Sequence, residues 1–372
     1  MSIHELEVQR HLRAGNSPES LKGRYAVGCS RHPKYDNLVH LKYDHINANW
    51  GDEIARECRG LILDEASDFT VVARPFNKFF NHGEPNAADI HWPSATVDEK
   101  LDGSLCVMYF YAGNWHVATT GTPDGGGEVS GFDFTFHDLF FKTLGSMRPH
   151  HDRPPMTYLF ELMSPYNRIV VDHKESHVKL LGQRCNWDGE FSKGHSYEWV
   201  DNKMPDSVRS FTLSSTDGIL STFKDMDPLK QEGYVIWDEN GNRIKVKHPG
   251  YVAIHHVVFG LSERRMVDII LDNEVPEVVA SFPALKDHMD TIKLKIDSFC
   301  DNARTAFDNI RTIEDQKAFA LEAMKTKFSS VLFMMRQTPD ESLYRLLRRM
   351  TTKRVMQLCG IREIVKKESI ES

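Results

Sequence analysis

The amino-acid sequence predicts an α+β domain of antiparallel sheets with flanking helices, followed by an all-helical C-terminal domain. Between about residues 22 and 255, short apolar or alternating runs are separated by Gly, Pro, Asn and Asp, a pattern typical of strands joined by turns. After Tyr251, apolar residues recur every three or four positions, as on one face of a helix. A chain of 372 residues is long enough for two domains.

The first domain is assigned to residues 1–255. Its predicted strands are Leu61–Leu63, Val71–Ala73, Leu105–Tyr111, His116–Thr120, Thr157–Leu162, Arg168–Val171, Val178–Leu181, Gly233–Trp237 and Arg243–Val246, with a strand-like run at Ala95–Val97. The segment Asp238–Asn242 contains Asn-Gly, which accepts the positive φ of a tight turn. The last two strands therefore form a predicted hairpin.

The second domain is assigned to residues 256–372. One long helix is predicted from the apolar positions Leu285, Met289, Ile292, Ile296, Phe299, Ala303, Phe307 and Ile310. Further helices are expected near 315–336, 340–350 and 352–359, the last ending at Gly360. A basic cluster runs from Arg345 to Arg354; a solvated helix face and a contact with phosphates explain it equally well.

Composition indicates a soluble globular protein. The net charge is −7, with 40% hydrophobic and 27% charged residues, and no apolar run approaches the roughly 20 residues that span a bilayer. No signal peptide is visible. The six cysteines include no C-x-x-C pair, which favours free thiols in a reducing cytoplasm. The negative net charge does not favour non-specific nucleic-acid binding. It does not exclude a local basic surface, because the field depends on where the charges lie.

The segment Lys100-Leu101-Asp102-Gly103 is the first candidate for chemistry. An amine nucleophile near a carboxylate and a flexible glycine suits an enzyme that bonds to its substrate through nitrogen. Taken alone, a surface lysine beside a turn is the commoner explanation.

Two further pairs of residues have the right chemistry for a phosphate site. Lys245 and Lys247 share one face of a strand, where they would bind phosphate and promote proton loss from a neighbouring lysine; lysines protecting an edge strand are the alternative. Glu161 and Glu232 lie in or beside apolar strands. They would hold Mg²⁺ or a ribose hydroxyl, or simply be solvated strand ends.

Arg59 and Lys78 lie close to strand ends upstream of Lys100, where each could meet a phosphate. Charged loop positions are the alternative for both residues. Neither a P-loop nor a Rossmann glycine motif is found in the sequence.

In this order, the segments resemble the covalent nucleotidyltransferase superfamily of polynucleotide ligases and RNA capping enzymes. The superfamily's K-x-D-G motif, its two acidic motifs and its paired-lysine motif match Lys100–Gly103, Phe160-Glu161, Glu232-Gly233 and Lys245–Lys247. The chain looks most like the RNA ligase 1 group of T-even-type phages. The matching segments are Glu57–Gly60, Arg74-Pro75, Lys78–Asn81, Asp102–Leu105 and Asn167–Val170. The match covers roughly residues 40–255.

The resemblance implies a nucleotidyltransferase domain, described as ATP-grasp-like, and a C-terminal domain that helps to choose the RNA. It implies that Lys100 takes AMP from ATP in the presence of Mg²⁺ or Mn²⁺. The other implied roles are phosphate contact by Arg59, Lys78, Lys245 and Lys247, nucleotide-pocket positions at Tyr43, Glu99 and Gly103, ribose binding or catalysis by Glu161, metal binding by Glu232, and a functional tyrosine at Tyr251.

The implied activity is an ATP-dependent RNA ligase that joins 5′-phosphate and 3′-hydroxyl ends through lysine–AMP and an adenylated RNA 5′ end. The expected setting is RNA repair in the cytoplasm, or in the host cytoplasm if the gene is phage-borne. The expected partner is single-stranded or nicked-loop RNA such as tRNA, bound by a monomer without a membrane. A DNA ligase, a capping-type enzyme and an inactive RNA-binding relative are the alternatives. The first two families usually append a β-barrel, which the helical C-terminus does not resemble.

One position departs from the family pattern. The group has a lysine before a glycine on the strand after the nucleophile, whereas this chain has Thr120 before Gly121. A hydroxyl brings no charge, so an altered phosphate contact is expected there. A second metal ligand could lie in the helical domain, near Asp272 or Glu274.

Overall fold

The computed structural model describes residues 5–129, 132–150, 155–193, 199–258, 262–281 and 283–361. The chain divides into two compact units. The first contains Met1–Asp44 and Ala48–Ile254, and the second contains His45–Asn47 and His255–Ser372.

The first unit is mainly built from strands. In chain order they are β1 Val27–Arg31, β2 Leu38–Tyr43, β3 Arg59–Asp64, β4 Thr70–Ala73, β5 Phe80–Asn81, β6 Thr96–Lys100, β7 Ser104–Tyr111, β8 Asn114–Thr119, β9 Met156–Met163, β10 His177–Cys185, β11 Phe191–Ser192, β12 Ser210–Phe211, β13 Gly233–Trp237 and β14 Arg243–Lys247. The helices of both units, in chain order, are α1 Glu7–Arg13, α2 Leu21–Tyr25, α3 Glu53–Glu57, α4 Phe136–Leu144, α5 Thr216–Thr222, α6 Pro249–Val258, α7 Glu263–Leu271, α8 Val275–Ser281, α9 Lys286–Ile310, α10 Gln316–Met324, α11 Ser329–Gln337, α12 Leu343–Arg348 and α13 Thr352–Cys359.

Within the described ranges these strands form three sheets, in the orders β1-β2-β3-β4, β11-β10-β9-β7-β8 and β12-β6-β13-β14-β5. Neighbouring strands are antiparallel except for the β5–β14 pair. Apolar residues of the first two sheets, such as Ile62 and Leu159, share one core cluster. Val97, Ile236 and Ile244 of the third sheet pack around Ile219 of α5. Burial of these alternating side chains fixes the strand register.

Most predicted strands are confirmed, in that β3, β4, β7, β8, β9, β10, β13 and β14 overlap the predicted runs. The β13–β14 hairpin is also confirmed, and Gly241 in its turn has a φ of 81°. The strand predicted at Arg168–Val171 is wrong. The N–H groups of Val170 and Val171 donate to the carboxylate of Asp102 and are therefore not available for a strand ladder there.

The second unit is helical where the structure describes it. The long predicted helix is confirmed as α9, which buries Met289, Ile292 and Ile296. The stretch predicted near 315–336 is two helices, α10 and α11. Helix α13 ends as predicted at Gly360, whose φ of 66° is left-handed. No helix in the described residues is both long and apolar enough to cross a bilayer.

Candidate active site

Lys100 is the last residue of β6, and the register of the third sheet fixes its neighbours. Gly233 of β13 pairs with Lys100 on one side and with Lys247 of β14 on the other. Paired residues of antiparallel strands direct their side chains to the same face. The sheet therefore brings two lysines that are far apart in sequence to the same face at one end of the sheet. Lys245 lies on this face as well, two residues before Lys247.

Gly233 is required by this arrangement. Its φ is +146°, and a Cβ at this position would lie only 2.2 Å from the carbonyl oxygen of Val246. Any side chain would push β13 away from β14. The absence of a side chain on Gly233 also leaves space between Lys100 and Lys247, which lie on the strands on either side of it.

A single buried carboxylate holds both lysines. The Oε2 atom of Glu232 lies 2.7 Å from Nζ of Lys100, and its Oε1 atom lies 3.3 Å from Nζ of Lys247. The Glu232 side chain is only 5% exposed. A buried carboxylate needs compensating charge, and here two ammonium groups supply it. Lys100 is consequently held in one position at the end of its strand.

Asp102 anchors the segment that follows the lysine. Its Oδ2 atom accepts hydrogen bonds from the N–H groups of Val170 (2.9 Å) and Val171 (2.6 Å), and its Oδ1 atom accepts one from the hydroxyl of Tyr251 (2.7 Å). Asp102 and Tyr251 are both buried. The carboxylate of the motif therefore positions the loop, and Tyr251 acts through Asp102 in this structure.

Gly103 lets this segment pass close to β9. A Cβ on Gly103 would lie 2.5 Å from the carbonyl oxygen of Leu162, which is too close for any other residue. Leu162 follows Glu161, and Glu161 pairs with Leu105 of β7. The close approach therefore brings the Lys100 segment and Glu161 together at one cleft.

Glu161 has an unusual protonation equilibrium. Burial raises the pKa of its carboxyl group to about 7, and the positive charges of Lys100 and Arg59 only partly oppose this effect. The negative charge of Glu232 adds to the increase. A carboxyl group with such a pKa can gain or lose a proton near neutral pH.

The cleft has a volume of about 310 Å³. The charged and polar residues that line it are Arg59, Asp98, Glu99, Lys100, Thr120, Glu161, Arg243, Lys245 and Lys247, and its apolar walls include Phe76, Phe79, Leu105 and Val235. Five of these residues are cations and three are carboxylates. Since apolar walls strengthen the field of fixed charges, the cleft is suited to a ligand that carries phosphates on an apolar or aromatic body.

Lys78 and Tyr43 do not line this cleft. The Nζ atom of Lys78 lies 5.1 Å from the ring centre of Trp50 and 5.9 Å from that of Tyr43, distances that allow cation–π attraction. Tyr43 is buried, which raises the pKa of its hydroxyl, while the charge of Arg59 opposes the increase. Nucleotide contact by Lys78 and Tyr43 stays a prediction.

Arg243 is a cleft residue that the sequence interpretation did not assign to the site. Its guanidinium carbon lies 4.1 Å from the ring centre of Phe76 and 4.7 Å from that of Phe191, and burial lowers the pKa of the group to about 9. Its place in β14, two residues before Lys245, was the available signal, because i and i+2 share a face.

Asp98 is a second cleft residue that the sequence interpretation did not assign to the site. The available signal was again the i, i+2 spacing, because Asp98 precedes Lys100 by two residues on β6. Its carboxylate accepts hydrogen bonds from Nζ of Lys193 (2.6 Å), Oγ of Ser210 (2.8 Å) and Nε1 of Trp237 (2.8 Å). These bonds keep one more carboxylate of the cleft neutralised and fixed.

The carboxylate oxygens near Lys100 fit a hard divalent cation whose other ligands come from a bound phosphate. Mg²⁺ prefers oxygen ligands and is commonly bound by one or two carboxylates together with substrate phosphates. Glu161 lines the cleft together with Asp98 and Glu99. Glu232 contacts Lys100 and Lys247 through its two carboxylate oxygens, so a cation bound there would compete with these lysines. Among the described residues no cluster of three or more His, Cys, Asp or Glu side chains forms a metal cage, so phosphate oxygens would have to complete such a site.

These features define a cleft rich in cations, with a fixed amine at its edge. The model of a family described as RNA ligase, of the T4 RNA ligase 1 type, matches residues 57–251, more than half of the 372 residues. The chain therefore belongs to this RNA ligase family, and the family resemblance inferred from the motifs is confirmed.

Relatives with this description cover most of the chain. An RNA ligase of Rhodothermus phage RM378 is 25% identical over 89% of this chain and 88% of its own length. A putative bifunctional polynucleotide kinase/RNA ligase of Autographa californica nuclear polyhedrosis virus is 27% identical over 83% of this chain. This chain spans only 45% of that viral protein.

Among solved structures, a putative ATP-dependent DNA ligase from Aquifex aeolicus is 12% identical, with a TM-score of 0.43 and 79% of each chain covered. A TM-score below 0.5 is too low to support a conclusion about fold or substrate.

Proposed function

We propose that this protein is an ATP-dependent RNA ligase that joins a 5′-phosphate to a 3′-hydroxyl through an AMP adduct on Lys100. The observation that supports this proposal most strongly is the position of Lys100. Its amine is fixed by Glu232 beside a cleft whose other cations, Arg59, Lys245 and Lys247, could hold phosphates. Membership of the RNA ligase family is consistent with this arrangement.

In the first proposed step, Nζ of Lys100 loses a proton and attacks the α-phosphorus of ATP. A nitrogen–phosphorus bond forms, the bond to the β-phosphate oxygen breaks, and pyrophosphate leaves. Lys245 and Lys247 share the face of Lys100, where they can neutralise the phosphates as charge develops. Positioning and fixed charges of this kind provide most of the catalysis in phosphoryl-transfer reactions.

In the second step, an oxygen of the RNA 5′-phosphate attacks the phosphorus bound to Lys100. The nitrogen–phosphorus bond breaks, Lys100 recovers its amine, and a 5′–5′ phosphoanhydride joins AMP to the RNA. In the third step, the 3′-hydroxyl loses its proton and attacks the RNA 5′-phosphorus, so that AMP leaves and a phosphodiester bond forms.

Glu161 is the candidate for proton transfer in these steps. Its carboxyl group, with a pKa near 7, can take a proton from an attacking group and later return it. Glu161 and Glu232 are also the residues that would hold Mg²⁺ or Mn²⁺, which would neutralise phosphate charge when bound. Asp102 and Tyr251 position the loop that carries the nucleophile.

The proposal also covers the two domains as wholes and the biological setting. The first domain would act as a nucleotidyltransferase module with an ATP-grasp-like arrangement, and the helical domain would contribute to the choice of RNA. The same proposal includes repair of cleaved tRNA and action as a monomer. It places the enzyme in the cytoplasm, which is the host cytoplasm if the gene is phage-borne. All three are suggested by the family resemblance alone.

The test starts from purified protein incubated with α-labelled ATP or GTP and Mg²⁺, followed by denaturing electrophoresis. We expect label from ATP on the wild type and on the control Lys22→Ala, an exposed lysine away from the cleft, but not on Lys100→Ala. Addition of 5′-phosphorylated single-stranded RNA or DNA then distinguishes the ligases. No adduct, or joining of DNA alone, would refute the proposed function.

A further inference from the structure

The cations of the cleft are unevenly distributed. Lys100, Arg243, Lys245 and Lys247 all come from the third sheet, whereas the first sheet contributes Arg59 and the end of β8 contributes the neutral Thr120. A phosphate placed between Arg59 and Thr120 would therefore meet less positive charge than one placed against β14.

The Arg59 and Thr120 parts of the lining are in direct contact. Gly60 has a φ of +89°, and a Cβ at this position would lie 3.2 Å from Cα of Thr120 and 3.3 Å from the carbonyl oxygen of Thr119. The start of β3 thus lies directly against the end of β8. We call this part of the lining the Arg59–Thr120 rim.

Lys42 of β2 reaches this rim from outside the cleft lining. It pairs with Arg59 in the antiparallel register of β2 and β3, so the two side chains lie on the same face. The Nζ atom of Lys42 lies 3.9 Å from the position that a Cβ would take on Gly121, which is the residue after Thr120. The ammonium group is therefore beside the Thr120–Gly121 turn.

The ammonium group of Lys42 forms no ion pair with a carboxylate of the described residues. Lys42 is exposed, and no carboxylate of a described residue lies within ion-pair distance of it. Its charge acts on His40, where burial first and Lys42 second lower the pKa of the imidazole to about 4, against smaller opposing effects of Thr119 and Asp124. His40 is thus neutral at physiological pH and adds no positive charge beside Lys42.

We propose that Lys42 binds a phosphate at the Arg59–Thr120 rim, and so supplies the positive charge that the neutral Thr120 does not. This inference rests on the proposed function, because the phosphate would belong either to ATP or to the RNA 5′ end. Both sources present the same chemistry to an ammonium group, and the three reaction steps can be measured separately to distinguish them.

The decisive variants are Lys42→Met, which keeps the length but removes the charge, and Lys42→Arg, which keeps the charge. Lys22→Met is the matched control, since Lys22 is also exposed in the first unit and does not line the cleft. The first arm measures lysine–AMP formation at limiting ATP. The second measures AMP transfer from pre-adenylylated enzyme to 5′-phosphorylated RNA.

We expect Lys42→Met to lose about tenfold in one of the two arms, equivalent to about 1.4 kcal/mol, as for one charge-assisted contact. Lys42→Arg and Lys22→Met should stay within about threefold of wild type. A loss in the ATP arm assigns the site to the nucleotide, and a loss in the RNA arm assigns it to the RNA end.

The double variant Lys42→Met with Thr120→Lys provides an independent readout, because a lysine at 120 would restore charge at the same rim. We expect it to recover most of the lost rate. The inference is overturned if Lys42→Met matches wild type in both arms, or if Lys42→Arg is as impaired as Lys42→Met. The proposed function fails instead if wild-type protein forms no adduct at all.

Discussion

The cations of β14 and those of the C-terminal helices look alike in sequence but differ in their surroundings. In β14, Lys247 shares the carboxylate of Glu232 with Lys100, so two ammonium groups meet one acid. In the helical unit, Arg348 alone meets two acids. It lies 2.7 Å from Asp272 and 3.2 Å from Asp268. A site for anions needs cations in excess, and clustering along the chain does not reveal where that excess lies.

The same contrast extends to the neighbouring arginines. Arg345 and Arg349 approach Glu341 to 3.2 Å and 2.7 Å. These ion pairs join residues within the helical unit and favour the helix-face interpretation for this part of the basic cluster. Asp272, considered as a metal ligand, has both of its carboxylate oxygens bonded to Arg348. RNA contact by the remaining part of the cluster stays a prediction.

The largest expected difference between the two regions is in catalysis. Lys247→Met should reduce the rate of lysine–AMP formation by about 10²- to 10³-fold, the cost of removing one group that stabilises developing charge. Arg348→Met should leave that rate within about twofold. Single-turnover labelling with ATP measures both variants. Equal losses of rate in the two variants would contradict the distinction between a catalytic site at β14 and a structural cluster in the helical unit.

A smaller effect should appear in the pH dependence of stability. Since burial raises the pKa of Glu161 to about 7, the folded protein holds a proton that the unfolded chain loses above about pH 4.5. The stability supplied by this group is therefore present at low pH and is lost as the pH rises towards 7.

Glu161→Gln should consequently gain stability over wild type as the pH increases from 5 to 8, by on the order of 1–3 kcal/mol. Chemical unfolding of both proteins at each pH measures the difference. A difference that stays constant with pH would mean that the carboxyl group titrates in the ordinary range.

The smallest effect concerns the stability of the helical unit. Arg348→Ala should lower the free energy of unfolding by about 0.5–1 kcal/mol, because its ion pairs are partly exposed and screened by solvent. The loss should shrink at high salt. Thermal unfolding at low and high salt tests this, with Lys295→Ala, an exposed lysine on α9, as the control. A loss independent of salt would point to packing instead.

The sequence predicted those features of the site that depend on local pattern. The alternation of β14 placed Lys245 and Lys247 on one face, and the apolar run before Glu161 marked β9. Contacts between distant segments could not be predicted in this way. The bond between Lys100 and Glu232 joins residues 132 positions apart, and it depends on a sheet register that no local pattern specifies.

Two segments show where a local pattern misleads. Arg168–Val171 has the composition of a strand, but Asp102, 68 residues away, binds the N–H of Val170. Strand β2 was not predicted because His40 and Lys42 interrupt its apolar run, although its residues are nearly all buried. The position of Lys42 opposite Arg59 depends on the pairing of β2 with β3, which no local pattern specifies.

The central claim is that Lys100 carries the AMP. The most direct measurement is mass spectrometry of proteolytic peptides after incubation with ATP and Mg²⁺. The peptides are kept at neutral or alkaline pH so that the nitrogen–phosphorus bond survives. We expect AMP on the peptide that contains Lys100 and on no peptide that contains Lys245 or Lys247. AMP on either of those lysines, with Lys100 unmodified, would contradict it.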